Sequence, residues 1–129
     1  MPKGIYQTAY PENEPVMSYE PGSDELISLL AKYNEMYNQS PIDVPMYIGG
    51  EEVRTNNKMP MSPPHDHAKV LGHFNYGDAS HVKAAIDAAL KAKKDWSDLP
   101  WEHRASIFIK AAELLAGPFR AKMNAATML

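Results

Sequence analysis

Eleven prolines divide these 129 residues into short stretches, and each limits what its neighbours can form. A proline fixes its own φ, removes a backbone donor and pushes the preceding residue towards extended geometry. Pro2, Pro11, Pro15 and Pro21, with Tyr6, Tyr10 and Tyr19 among them, leave residues 1–22 without helical or strand periodicity. That stretch reads as an extended arm, and its composition fits a segment laid over a surface as well as it fits a disordered one. Pro41 and Pro45 force an extended passage, Pro63 and Pro64 set a turn, and Pro118 follows Gly117 at a helix stop. Pro100 falls where a first helical turn can accept it, with Leu99 as a poor implied cap and Glu102 at the favoured positive end.

Between these breaks the apolar spacing defines elements. Ser23 can cap a helix carrying Leu26, Leu29, Leu30, Tyr33 and Met36 or Tyr37 on one face, ending near Asn38. "MYIGGEEV" predicts a two-residue hairpin, because Gly49 and Gly50 stand where φ must be positive. Its first strand begins at Pro45 or lies at an edge. In "KVLGHFNY", Val70, Gly72, Phe74 and Tyr76 alternate with Leu71, His73 and Asn75, which predicts another strand. Asp78 or Ser80 starts a helix with Val82, Ala85, Ile86 and Ala89 on one face and Trp96 closing it. A further stripe of Ile107, Phe108, Ala111, Leu114 and Leu115 runs to Gly117, and "FRAKMNAATML" stays helical with no stop signal. The stripes at 82–90 and 107–115 are expected to cover each other in part.

Composition removes several classes of function. A net charge of −3 offers no positive field for nucleic acid. With no cysteine there is no disulfide, no thiolate ligand and no thiol nucleophile within these residues. No apolar run reaches the length of a membrane span, the start lacks a secretory profile, and Glu12, Glu14 and Glu20 make it too acidic for a mitochondrial transit peptide. A soluble protein of the bacterial cytoplasm is the expectation.

"MSPPHDHAKVLGHFNYGD" is the densest cluster of potential ligands. His65 and His67 could point to one face of a strand, but zinc needs three or four ligands, and His73, His81 or Asp78 would have to fold back to supply them. A polar bend between strands is the simpler reading. Ser62, Ser80, Ser97 and Ser106 lie in no nucleophile elbow. The carboxylate pairs Glu12/Glu14, Glu51/Glu52 and Asp95/Asp98 read as solvated charges, and Lys83, Lys91, Lys93 and Lys94 as the wet side of a helix. Gly49-Gly50 sits inside a hairpin, so no glycine-rich phosphate cradle is present.

From Val44 to Leu129 the chain resembles the start of aldehyde dehydrogenases, on the strength of "YIGGEEVRT", "SPPHDH", "LPWEHRA" and "AAELLAGPFRAKMNAATML". Within that superfamily it looks like the Δ1-pyrroline-5-carboxylate dehydrogenases, which oxidise L-glutamate γ-semialdehyde to glutamate with NAD in proline breakdown. The resemblance implies an α/β fold of which only the first part is present: an extended arm, a helix, a β-hairpin and early strands, then helices flanking an NAD-binding domain that is largely missing. Residues 1–43 would be the arm and short helix, and residues 44–129 an incomplete part of the dehydrogenase domain.

In that family a cysteine thiolate attacks the aldehyde, the thiohemiacetal passes hydride to nicotinamide, and a glutamate activates the hydrolytic water. The resemblance therefore implies no catalytic, cofactor-binding or metal-binding residue in this chain, a chain that ends in mid-element after Leu129, and inertness when alone. It also implies a small-molecule substrate and a homo-oligomer for the parent, with no nucleic acid or membrane partner. The terminal helix is expected to lack the sheet it would pack on, leaving apolar surface exposed. A free-standing helical interaction module over residues 80–129 is the rival expectation, and a metal-binding regulator through His65, His67, His73 and His81 a distant third.

Overall fold

A computed structural model describes Tyr10 and residues 12–129. Pro2, Tyr6 and Pro11 of the expected arm lie outside the described residues. Helix α1 (Asp24–Asn38) starts where the sequence indicates: the Ser23 hydroxyl accepts from the Leu26 N–H at 3.3 Å, and Asp24 and Glu25 occupy the first turn. Leu26, Leu29, Tyr33, Met36 and Tyr37 are half-buried, whereas Leu30 points outward.

The hairpin forms as expected. Strands β2 (Met46–Ile48) and β3 (Glu51–Val53) pair antiparallel, Ile48 opposite Glu51, across Gly49 and Gly50 at φ 63° and 90°. Pro45 immediately precedes β2, where its missing donor costs no ladder bond.

Beside it stands a three-stranded sheet in the order β1 (Ile42–Val44), β5 (Gly72–Asn75), β4 (Lys58–Met61). β1 runs parallel to β5, with Ile42 opposite Gly72, and β4 runs antiparallel to it, with Lys58 opposite Asn75. The expected strand over 70–76 is shorter, Gly72–Asn75, with single hydrogen bonds from the Leu71 N–H to Met61 and from the Tyr76 N–H to Asn57 flanking its ladder with β4. Pro60 is tolerated because β4 is an edge strand. Gly72 is where β1 comes closest: a Cβ built there would lie 2.4 Å from the Ile42 carbonyl oxygen.

Helix α2 (Ala79–Asp98) is capped by Asp78, and α3 (Trp101–Ala116) follows after a single break. Pro100 is the N-cap of α3 rather than its first helical residue, and Leu99 closes α2 instead of capping α3. α3 stops at Gly117, whose N–H bonds back to Glu113. Pro118 does not open the next helix, because Phe119 intervenes as the N-cap of α4 (Arg120–Met128).

One packing expectation changes. The α2 and α3 stripes do not cover each other: Val82, Ile86, Leu90, Ile107, Phe108 and Leu115 are all exposed, and α2 touches mainly the hairpin through Ala88 at Gly49. The terminal helix packs on α1, with Ala125 fully buried, which the sequence does not indicate, while Met123 and Met128 stay exposed as expected. Small residues at Ala121 and Ala125 let the two helices approach closely. Among the described residues, no helix is long and apolar enough to cross a membrane.

Candidate functional site

The histidine-rich bend is held down from two sides. Pro63 is completely buried, and turn hydrogen bonds from Asp66 N–H to Pro63 and from Lys69 N–H to Asp66 fold residues 63–69 back on themselves. Tyr33 and Tyr37, one turn apart on α1, stack at 5.9 Å and reach this bend. The Tyr37 hydroxyl donates to Asp66 Oδ2 at 2.5 Å, and the Tyr33 hydroxyl is hydrogen-bonded to His65 Nε2 at 3.3 Å. Lys69 places its ammonium 4.9 Å from the Tyr37 ring centre, a cation–π contact. The Tyr37 bond holds the Asp66 carboxyl below the usual range and pushes the Tyr37 phenol up, as a shared proton-donor contact to a carboxylate must.

The other histidines are scattered. His73 lies in β5 opposite Asp43 and Pro60. His81 belongs to the cap of α2: its Nδ1 accepts from the Asp78 N–H at 3.2 Å, while Asp78 Oδ1 accepts from the N–H groups of Ser80 and His81. Hydrogen bonds from the Ser80 hydroxyl and from the His81 backbone N–H hold Asp78 well below the ordinary carboxylate range. Among the described residues, no group of three or more His, Cys, Asp or Glu is placed to hold a metal ion.

Other candidates are likewise engaged. The hydroxyls of Ser97 and Ser106 donate to the Lys94 and His103 carbonyls of their own helices, so neither faces a base. Lys83 and Lys94 pair with Asp87 and Asp98 on the outer side of α2. Glu52 accepts from Tyr47 and from Arg54, which lowers its carboxyl, the tyrosine bond most.

A polar centre unseen in the sequence lies where the two sheets meet. Asn75, 5% exposed, donates to Asp43 Oδ1 at 2.9 Å and to the Val44 carbonyl at 2.8 Å, and accepts from the Thr55 N–H at 2.7 Å. Asp43 Oδ2 accepts from Lys58 and from Arg54, and the Lys58 bond does most to hold its carboxyl down. Both Asn75 amide protons and its oxygen are taken up, so the cluster locks the geometry of β1, β5 and the segment after β3. The one hint in the sequence is an asparagine on an alternating strand.

Among the described residues the β5–α2 turn leads directly from a strand into a helix, and the Asp78 carboxylate already occupies the helix N–H groups that a phosphate would need.

Comparison with known proteins places this geometry. The aldehyde dehydrogenase family profile matches residues 52–126, more than half of the chain. The Δ1-pyrroline-5-carboxylate dehydrogenase of Agaricus bisporus is 50% identical over 117 residues, 91% of this chain and 21% of that protein. The mitochondrial human enzyme of that name is 38% identical over the same shares. The crystal structure of the Mycobacterium tuberculosis Δ-pyrroline-5-carboxylate dehydrogenase bound with NAD superimposes with a TM-score of 0.93 at 41% identity, covering 98% of this chain and 24% of that one. The chain thus spans about a fifth of the length of the relatives it matches. It belongs to the aldehyde dehydrogenase family.

Proposed function

We propose that these residues form the early scaffold of an NAD-dependent dehydrogenase that oxidises L-glutamate γ-semialdehyde to glutamate. The observation that carries this reading is the likeness, over nearly the whole chain, to proteins named for that activity. On this reading residues 1–43 are the arm and first helix, and residues 44–129 are an incomplete N-terminal part of the aldehyde dehydrogenase domain. NAD supplies hydride acceptance when bound, and no residue here is assigned to it.

The chemistry itself is assigned elsewhere in the polypeptide. Aldehyde oxidation of this type needs a thiolate nucleophile, and these 129 residues contain no cysteine. Their part is to carry helices whose exposed stripes, Val82 to Leu90 on α2 and Ile107 to Leu115 on α3, present large apolar side chains that longer polypeptide would cover. The parent is placed in an aqueous compartment, the cytoplasm in a bacterium, and is a homo-oligomer without nucleic acid or membrane partners.

The same open stripes suit the rival reading, a free-standing helical interaction module. Two measurements separate them. The coding sequence beyond Leu129 should continue into a strand–helix region and a cysteine. The complete protein should reduce NAD when given pyrroline-5-carboxylate, and thiol alkylation should abolish that activity. A stop codon after Leu129, or an alkylation-resistant dehydrogenase, would sink the enzyme reading.

A further inference from the structure

Among the described residues the arm is held by a few polar contacts, one of them local, from the Ser18 hydroxyl to Glu25 in the first turn of α1 at 3.4 Å. Val16 is 99% exposed, so apolar burial does not hold its middle. Two polar contacts span over a hundred residues instead. Glu14 pairs with Arg120, and the Asn124 side chain donates to the Tyr19 hydroxyl at 2.8 Å. Tyr19 itself sits at φ 53°, a left-handed conformation unfavourable for a bulky side chain, so closing the arm stores backbone strain.

Arg120 explains why the first contact matters. It stands in the first turn of α4, where the helix dipole disfavours a cation, and its side chain is 19% exposed. Its Nε donates to the Ala116 carbonyl at the end of α3, a contact that leaves the charge uncompensated. α4 has no acidic residue in its first turn and no side-chain cap. Glu14 delivers from the arm the negative charge that this helix start lacks.

We propose that residues 12–19 form a strap, closed over the α3–α4 junction by the Glu14–Arg120 ion pair and the Tyr19–Asn124 hydrogen bond, that salt opens without unfolding the α1–α4 pair beneath. Glu14 is 55% exposed, so added ions reach the pair and screen it. The apolar contacts around Ala125 are insensitive to such screening. This device does not depend on the reaction assigned above.

Hydrogen exchange of the complete polypeptide, followed by mass spectrometry at low and at molar salt, tests it. Exchange in peptides covering residues 12–22 and the first turn of α4 should rise with salt by up to about fivefold, the size of one partly exposed ion pair. Peptides from α1 beyond its first turn and from β5 should not change. Glu14→Gln should show the fast exchange already at low salt, and Glu14→Arg combined with Arg120→Glu should restore slow, salt-sensitive exchange, which a misfolded protein could not. Arm exchange that ignores salt, an unaltered Glu14→Gln, or loosening of α1 beyond its first turn together with the arm would each overturn the strap.

Discussion

Asn75 Nδ2 donates to Asp43 Oδ1 at 2.9 Å, joining β5 to β1 through side chains as well as through the parallel ladder. The same amide takes up the Thr55 N–H and the Val44 carbonyl, so one buried group fixes three segments. Asn75→Ala takes the partner from one donor, the Thr55 N–H, and from two acceptors, Asp43 Oδ1 and the Val44 carbonyl, and should cost about 2–3 kcal/mol. Asn75→Asp should be at least as damaging, since it removes the donor and sets a second carboxylate against Asp43. Urea unfolding midpoints decide this; equal midpoints for wild type and Asn75→Ala would show that the network is ornamental.

Gly72 and Gly50 are required for different reasons. At Gly72 any Cβ meets the Ile42 carbonyl at 2.4 Å and the Ile42 side chain at 2.7 Å, both part of the neighbouring strand. Gly72→Ala should therefore part β1 from β5 and cost about 3 kcal/mol. Gly50 has open space around it but holds φ at 90°, so Gly50→Ala should cost about 1 kcal/mol through the backbone alone. Comparing the two by thermal unfolding separates crowding from conformation, and a reversed order would refute the assignment.

Acid should weaken this structure in one direction only among the groups with perturbed acidity. Glu25, Asp43, Glu52, Asp66 and Asp78 all have carboxyls lowered in the folded state, by their own or neighbouring backbone and side-chain hydrogen bonds. A lowered folded pKa means that the unfolded chain takes up protons first. The stability these groups contribute is complete above the ordinary carboxylate range, near pH 4, and is lost as pH falls through their folded values. Denaturant midpoints measured from neutral to acidic pH should fall below about pH 4, and Asp78→Asn should start lower and fall less. A midpoint that holds steady into strong acid would contradict the hydrogen-bond account.

Local signals were readable in the residues, and long-range pairings were not. Ser23, Asp78 and Gly49-Gly50 each set their element through contacts within about four residues, so their spacing alone predicts α1, α2 and the hairpin. β1 escapes because Ile42–Val44, between two prolines, is too short to show a period of two. Asp43 and Asn75 are 32 positions apart, and nothing local marks them as partners. An amphipathic stripe states that a helix face needs covering without stating by what. That is why the stripes of α1 and α4 do not name each other in the sequence, while those of α2 and α3, which stay open in the structure, read as partners. The histidine bend was legible as a turn, but its clamp by Tyr33 and Tyr37 required knowing that α1 lies beneath it.

Phe108 shows what the open stripes should do. It is 67% exposed on α3, beside Ile107 and Ile109, both about half exposed. Produced alone, the 129-residue chain should associate through such faces, visible as concentration-dependent sedimentation and binding of an apolar dye. Phe108→Lys should reduce that association while changing the stability of the isolated chain by no more than about 0.5 kcal/mol, since the ring touches little here. In the complete protein the same substitution should cost about 3 kcal/mol or more, because covering polypeptide would have to bury a lysine in place of an aromatic ring. The contrast between the two contexts is the informative quantity. Equal effects in both would mean that α3 stays uncovered in the parent, and would favour the interaction module over the dehydrogenase scaffold.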